Sequence, residues 1–321
     1  MLKSKNESDS HQVHGVLVVY VDDFLLQTEA GPIRTGLLGA LGQIWKLDKE
    51  ETLTVEHPLT FLGIEMQLRA NGDILLHQTK FVKGLLEKYS LQTCKGHKTV
   101  QIDKLPLEED NPDIPMLRQL QGYSGEFNWL ATRTRPDISY YTSLLASACT
   151  RYSKWSQEFA MKILRYLKDS VTQGILISAE GDLNDLIAWT DVGYAGQDTK
   201  SQSGLIVSWG GSIIVWRSSK QTVATLSTAE AEVNAATLGW QIVEGLRYLL
   251  ADFGLDVPRI KVMIDNKAAL TITMCGAQWR TRYFAVRGHR LHQEYEAGRA
   301  ELVHCPTKSM LADALTKLAT A

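Results

Sequence analysis

Acidic residues recur at the ends of predicted elements in the C-terminal part of the chain. Asp191 and Asp265 each end a predicted strand, and the other acids lie on predicted helices: Glu230, Glu232 and Asp313. Functional sites gather at strand ends in α/β sheets. Any one of these acids alone is best explained as a surface carboxylate or a helix cap. Clustered carboxylates, however, repel one another unless cations hold them, and oxygen ligands favour Mg²⁺ or Mn²⁺. A pair of such ions suits phosphodiester cleavage.

The two neighbouring glutamates cannot both serve such a site. Glu230 and Glu232 are two residues apart on a helix predicted over about 228–253, so at about 100° per residue they point about 200° apart. Ser227-x-x-Glu230 forms a capping box, which gives Glu230 a structural role. Glu232 shares its side with small and apolar residues that should pack on a sheet: Ala235, Ala236, Gly239, Val243, Leu246 and Leu250. We therefore expect Glu232 to be the metal ligand.

The elements that must position these acids form a mixed pattern over 183–321. Strand-like runs at 186–191, 204–209 and 212–217 precede the long helix. A strand over 260–264 and helices from about 266 and over 284–298 follow, then a strand over 300–304 and a last helix over 309–318. The order β-β-β-α-β-α-α-β-α predicts an α/β domain of ordinary size.

Two further regions precede this domain. Residues 1–79 are β-rich, with Asp22 and Asp23 at a predicted hairpin turn and Asn71-Gly72 at another. Residues 80–182 are mostly helical, with helices predicted at 117–131, 137–149 and 154–168. An acidic, proline-containing stretch from about 94 to 115 is predicted to be a solvated linker within this second region.

Composition excludes several classes of protein. The 321 residues are 44% hydrophobic and 22% charged, which is typical of a globular protein of about two domains. The formal net charge of −2 means that nucleic-acid contact needs a local basic patch. The apolar run 16–21 is too short to cross a membrane or to act as a secretion signal. Four scattered cysteines exclude a zinc ribbon and favour a reducing compartment, so we expect a cytoplasmic or nuclear protein.

Four segments of the C-terminal domain resemble ribonuclease H in the form carried by copia-type LTR retrotransposons. They are WTDVGYAGQDTKSQSG, WRSSKQTVATLSTAEAEVNAA, IDNKAAL and LADALTK, in the family's order. The resemblance implies a mixed five-stranded sheet with helices on both faces. It also implies that Asp191, one glutamate of Ala-Glu-Ala-Glu, Asp265 and Asp313 hold Mg²⁺ or Mn²⁺ for hydrolysis of the RNA strand of an RNA–DNA hybrid. Glu232-Val233-Asn234-Ala235-Ala236 is similar to the family's Glu-Leu-x-Ala run, which agrees with the choice of Glu232.

Two positions depart from the family's pattern. Copia-type sequences usually have Asp-x-Asp where this chain has Asp191-Val192-Gly193, although cellular ribonucleases H have Asp-Gly there. Many ribonucleases H carry a histidine in the loop before the last acid, where this chain has Cys305-Pro306-Thr307-Lys308-Ser309. The sequence therefore does not identify the group that protonates the leaving oxygen.

The first two regions resemble the reverse transcriptase of the same elements. Tyr20-Val21-Asp22-Asp23 is similar to the palm hairpin that holds two metal-binding aspartates, and Phe61-Leu62-Gly63-Ile64-Glu65 to the primer-grip hairpin. Thr132-Arg133-Thr134-Arg135-Pro136-Asp137-Ile138 and Ile163-Leu164-Arg165-Tyr166-Leu167-Lys168 are similar to the thumb and connection. The family's fingers and earlier catalytic aspartate would precede residue 1, so we expect a truncated palm whose Asp22 and Asp23 are a polymerase remnant.

These observations favour a Mg²⁺-dependent ribonuclease H behind an incomplete reverse transcriptase, with another chain as a candidate source of the missing palm and fingers. Arg282 and Arg287 lie in an arginine-rich stretch that could face hybrid phosphates, although a solvated helix explains them almost as well. The alternative function is a non-catalytic retroelement remnant that folds, and could bind nucleic acid, without cutting it. The four intact acids favour the enzyme.

Overall fold

The computed structural model describes residues 2–3, 13–110, 112–194, 200–257, 259–276 and 282–317, without the side chains of 2–3, 259 and 282–287. The N-terminal part is a three-stranded antiparallel sheet of order β1-β2-β3 followed by one helix. Its elements are β1 (Leu2–Lys3), β2 (Val13–Tyr20), β3 (Asp23–Thr28) and α1 (Pro32–Ile44). The predicted hairpin is confirmed, because Tyr20 pairs with Asp23 across a two-residue turn.

A second antiparallel sheet has the strand order β4-β5-β6-β7. Its strands are β4 (Leu59–Phe61), β5 (Ile64–Leu68), β6 (Ile74–His77) and β7 (Gly174–Ile177). The last strand comes almost a hundred residues after the third, so it closes the helical region back onto this sheet. Gly72 lies at the predicted Asn-Gly turn with φ of 88°, a backbone conformation that glycine adopts readily.

Four helices between these strands build the largest apolar core. They are α2 (Thr79–Lys88), α3 (Ile114–Ala131), α4 (Ser139–Ala148), which follows a short 3-10 turn at Pro136–Ile138, and α5 (Ser153–Asp169). Leu120, Phe127 and Leu164 are fully buried in this core. The segment from about 94 to 115, predicted as a solvated linker, is instead hydrogen-bonded to the helical region. Asp110 accepts the backbone N–H groups of Ser153 and Lys154 at the start of α5.

The C-terminal part is built on a mixed five-stranded sheet of order β10-β9-β8-β11-β12. Strands β8 and β9, and β9 and β10, are antiparallel, whereas β11 runs parallel to both β8 and β12. The strands are β8 (Asp185–Gly193), β9 (Gln202–Trp209), β10 (Ser212–Lys220), β11 (Arg259–Ile264) and β12 (Glu301–His304). The predicted order of elements in this region is confirmed up to β12.

Helical segments cover both faces of this sheet. Ala188 on β8 packs in one core with α6 (Thr228–Asp252), α7 (Lys267–Cys275) and α8 (Arg282–Glu296). The next residue, Trp189, points to the other face and packs against a small cluster of Cys305, Met310 and Ala312. Gly239 on α6 lets the helix approach closely, because a Cβ there would lie 2.6 Å from a methyl group of Thr190.

The last predicted helix differs from expectation. It consists of two 3-10 segments, Thr307–Ser309 and Leu311–Leu315. A Cβ on Gly204 would lie 2.7 Å from the Ala312 carbonyl oxygen, so the second segment is pressed directly onto β9. The tighter winding of a 3-10 helix accompanies this close contact.

Direct contacts join the helical region to the edge of the five-stranded sheet. The Trp216 indole N–H donates to the Ala131 carbonyl oxygen, and Gln202 donates to Ser143 at 3.0 Å. Ser218 on β10 donates to the Leu315 carbonyl oxygen at 2.6 Å. The final 3-10 segment therefore contacts two neighbouring strands, β9 and β10.

Within the described residues, no helix is both long and apolar enough to span a membrane.

Candidate metal site of the C-terminal domain

Strand register brings two of the predicted acids together. Ile264 on β11 pairs with Thr190 on β8 in the parallel ladder. Asp265 and Asp191 each follow these paired residues, so they lie side by side at the same end of adjacent strands. Asp191 is 1% exposed, and Asp265 is partly exposed.

The start of α6 supplies the third acid and separates the two glutamates as the helix phase predicts. Ser227 caps the helix by accepting the Glu230 backbone N–H at 3.1 Å. The Glu230 carboxylate accepts the backbone N–H of Leu226 at 2.8 Å, one residue before the N-cap residue that the capping-box pattern predicts. Glu230 is itself buried. Glu232 points instead to the aspartates.

One carboxylate oxygen from each of Asp191, Glu232 and Asp265 lies within 4.8 Å of the others. This is the only group of three or more potential metal ligands found in the described part of the chain. Asp313 does not join the cluster. Its side chain is about one-third exposed and forms an ion pair with Lys317. The structure thus brings together three of the four predicted acids.

Burial and mutual repulsion dominate the electrostatics of the cluster. The pKa of Glu232 is raised to about 9, first by burial and then by the charges of Asp191 and Asp265. Burial also raises the pKa of Asp191, against the hydrogen bond from Thr316 and the charge of Lys317, which lower it. Both carboxyl groups would ionise more easily beside a cation.

Four side chains to which the sequence assigns no role contact these acids or their backbone. Thr316 donates a hydrogen bond to Asp191, and Thr307 donates one to Asp265 at 3.2 Å. Lys317 Nζ lies 3.7 Å from the nearer Asp191 oxygen. His304 Nε2 also donates to the Asp265 carbonyl oxygen at 3.1 Å. The spacing of four between Asp313 and Lys317 is the sequence signal that could have revealed the ion pair.

The donor set fits a hard divalent cation. All three clustered ligand atoms are carboxylate oxygens, the type that Mg²⁺ and Mn²⁺ prefer. The Glu232 side chain is 5% exposed, and its Oε2 atom has no hydrogen-bond partner within the described residues. A buried carboxylate oxygen without a partner is costly, and a bound cation would remove that cost.

The remaining predicted site residues lie elsewhere or beyond description. Asp22 lies in the β2–β3 turn and Asp23 begins β3, and both are exposed. No third acid of the described residues joins them as a candidate metal group. Arg282 and Arg287 are on α8, but their side chains lie outside the described part of the structure. Arg290, farther along α8, forms an ion pair with Glu294 at 2.9 Å.

No protein-family model matches the chain, but several retroelement proteins do. The Pol polyprotein of transposon RE1 from Arabidopsis thaliana is 28% identical over 94% of this chain and 20% of its own length. That of transposon TNT 1-94 from Nicotiana tabacum is 25% identical over 94% of this chain and 23% of its own length. The chain spans about a fifth of the length of such relatives.

A shorter relative is an uncharacterized mitochondrial protein of Arabidopsis thaliana, 27% identical over 69% of this chain and 90% of its own length. Among solved structures, the N-terminal RNase H domain of a Mycobacterium tuberculosis protein is 15% identical, with a TM-score of 0.32, over 41% of this chain and 90% of that one. RNase H1 of Halobacterium salinarum is 18% identical, with a TM-score of 0.31, over 41% of this chain and 93% of that one. The predicted resemblance is confirmed: this chain is similar to copia-type retrotransposon Pol polyproteins over almost its whole length.

Proposed function

We propose that residues 183–321 form a ribonuclease H domain that hydrolyses the RNA strand of an RNA–DNA hybrid with Mg²⁺ or Mn²⁺. The observation that carries this proposal is the buried cluster of Asp191, Glu232 and Asp265, with an unpartnered Glu232 oxygen. The order of motifs along the domain and the similarity to Pol polyproteins support it. Divalent ions bound there would activate water and stabilise the leaving oxygen.

The chain's own side chains have defined tasks in this proposal. Asp191, Glu232 and Asp265 hold the ion, and Asp313 completes the set from the final 3-10 segment. Thr316 and Thr307 fix the rotamers of Asp191 and Asp265 by their hydrogen bonds, as hydrogen-bonding neighbours of ligands do in metal sites. Selection of RNA would rest on 2′-hydroxyl contacts across the minor groove of the hybrid, and Arg282 and Arg287 are candidates for phosphate contacts.

The upstream regions complete the proposed organisation. In this proposal residues 1–79 correspond to reverse-transcriptase palm sequence, and residues 80–182 correspond to the thumb and connection. Polymerase activity would then require further metal-binding acids besides Asp22 and Asp23, because these two lie together on one exposed hairpin.

The test is hydrolysis by the purified full chain of end-labelled RNA presented as a hybrid, as single strands and as an RNA duplex, with Mg²⁺ and with EDTA. We expect cleavage of the hybrid RNA alone, dependent on Mg²⁺. Asp265→Asn removes a ligand charge at nearly constant volume and should reduce cleavage to background while the melting temperature in EDTA does not fall. Cleavage by this variant at the parental rate would overturn the proposal. A folded parent that binds hybrid but never cuts it would support the non-catalytic alternative.

A further inference from the structure

The lysine that ends the LADALTK segment lies at the acid site. Lys317 Nζ forms an ion pair with Asp313 and lies 3.7 Å from Asp191 Oδ2. Among the described side chains, it is the only cation within ion-pair distance of any of the four predicted acids. Among the described side chains, a single ammonium group thus accompanies four carboxyl groups.

The position of this ammonium group differs from that of the three-acid cluster. Glu232 and Asp265 belong to the cluster with Asp191, whereas Lys317 connects Asp191 to the separate Asp313. A divalent ion shared by Asp191 and Asp313 would occupy the space that Lys317 Nζ fills. The site therefore offers two places for cations, and the chain itself supplies a cation for one of them.

We propose that Lys317 is an internal counter-ion that occupies the second cation position and is displaced when a second divalent ion binds there. This inference rests on the proposed function, because it assumes that the acids bind divalent ions. Lys317 then sets the concentration at which the second ion binds. The first position is affected less, because Asp191 is the only one of its three acids within ion-pair distance of Lys317.

The structure gives Lys317 the freedom that displacement requires. Its side chain is 45% exposed, and an ammonium on a flexible four-carbon stem is readily hydrated when it moves away. Asp191 keeps the hydrogen bond from Thr316 when the lysine leaves. The second cation position can thus change its occupant without the strands moving.

The experiment is a titration of the full chain with Mn²⁺ alone, followed by the electron paramagnetic resonance signal of free Mn²⁺, for the parent and for Lys317→Met. This substitution removes the charge and keeps much of the length. We expect the second dissociation constant for Mn²⁺ to fall by about three- to tenfold. The reason is that the ion pairs of Lys317 with Asp191 and Asp313 no longer compete with Mn²⁺ for these carboxylates. The first constant should change less.

Lys261→Met is the matched control. Lys261 pairs with Asp185 at 2.5 Å across the same two strands, at the end of the sheet opposite the acid cluster. The Lys261→Met substitution should leave both dissociation constants for Mn²⁺ unchanged. A second constant in Lys317→Met that is equal to or weaker than the parental one would overturn the counter-ion inference alone. If the parent binds no Mn²⁺ that Asp265→Asn removes, both the proposed function and this inference fail.

Discussion

Replacing Glu232 with glutamine should stabilise the protein in the absence of divalent ions. Glu232 is almost fully buried, and its pKa is raised from 4.5 to about 9 by burial and by Asp191 and Asp265. The folded chain therefore binds this proton more tightly than the unfolded chain does. Stability attributable to Glu232 is greatest below about pH 4.5 and falls as the pH rises towards about 9.

The magnitude follows from the pKa difference. Each pH unit between the unfolded and folded pKa values corresponds to about 1.4 kcal/mol. Between the unfolded pKa of 4.5 and pH 7, the loss in the free energy of unfolding amounts to about 3 kcal/mol. This is an upper value, because the neighbouring charges rearrange. Glutamine is always neutral and should remove most of this cost. Stability of the variant should also depend less on pH between 5 and 8.

Urea denaturation in EDTA and in Mg²⁺ measures both effects. Mg²⁺ should raise the free energy of unfolding of the parent. Glu232→Gln should be more stable than the parent in EDTA, and Mg²⁺ should add little to the stability of this variant. Glu230→Gln is the matched control two residues away. It should lose about 1 kcal/mol or less through a weaker cap and keep the Mg²⁺ response. If Glu232→Gln destabilises the chain in EDTA, or Glu230→Gln abolishes the Mg²⁺ response, the assignment of the two glutamates is wrong.

Three further predictions concern the other acids and the basic residues. Asp313→Asn should reduce hybrid cleavage yet keep the tighter Mn²⁺ constant, because Asp313 lies outside the three-acid cluster; loss of that constant in a Mn²⁺ titration would contradict the geometry. The purified chain should not extend a primer with Mg²⁺ and deoxynucleotides, since Asp22 and Asp23 lie together on one exposed hairpin without a third acid among the described residues; extension products would refute this. Arg282→Ala and Arg287→Ala should weaken hybrid binding and flatten its salt dependence. Arg290→Ala, which removes an ion-paired arginine, should keep the parental slope, and equal slopes in all three variants would exclude the phosphate contacts.

The phase of α6 is the part of the site that the sequence predicts best. Spacing alone separates Glu230 from Glu232, and the capping-box pattern gives Glu230 its structural role. The capping-box pattern predicts that the Glu230 carboxylate accepts the backbone N–H of Ser227, but it accepts that of Leu226, one residue earlier. Such a shift depends on how the preceding loop enters the helix, which a local pattern does not encode.

Strand partners and the last segment needed the structure. Alternation and apolar runs identify β8 and β11 as strands, but only their parallel register places Asp265 beside Asp191. The helical pattern around Asp313 predicts a regular helix. The observed 3-10 geometry accompanies close contact with Gly204, which belongs to a distant segment. Thr316 and Lys317 were missed for the same reason, because their roles depend on Asp191, more than a hundred residues earlier.

The proposed function depends on a divalent ion that Asp191, Glu232 and Asp265 bind together. Anomalous scattering from crystals of the full chain soaked in Mn²⁺ tests it most directly. We expect a Mn²⁺ peak among these three carboxylates, ligated by the Glu232 oxygen that has no partner within the described residues, and no such peak in crystals of Asp265→Asn. Saturating Mn²⁺ that leaves the three carboxylates without an ion would refute the proposed metal site.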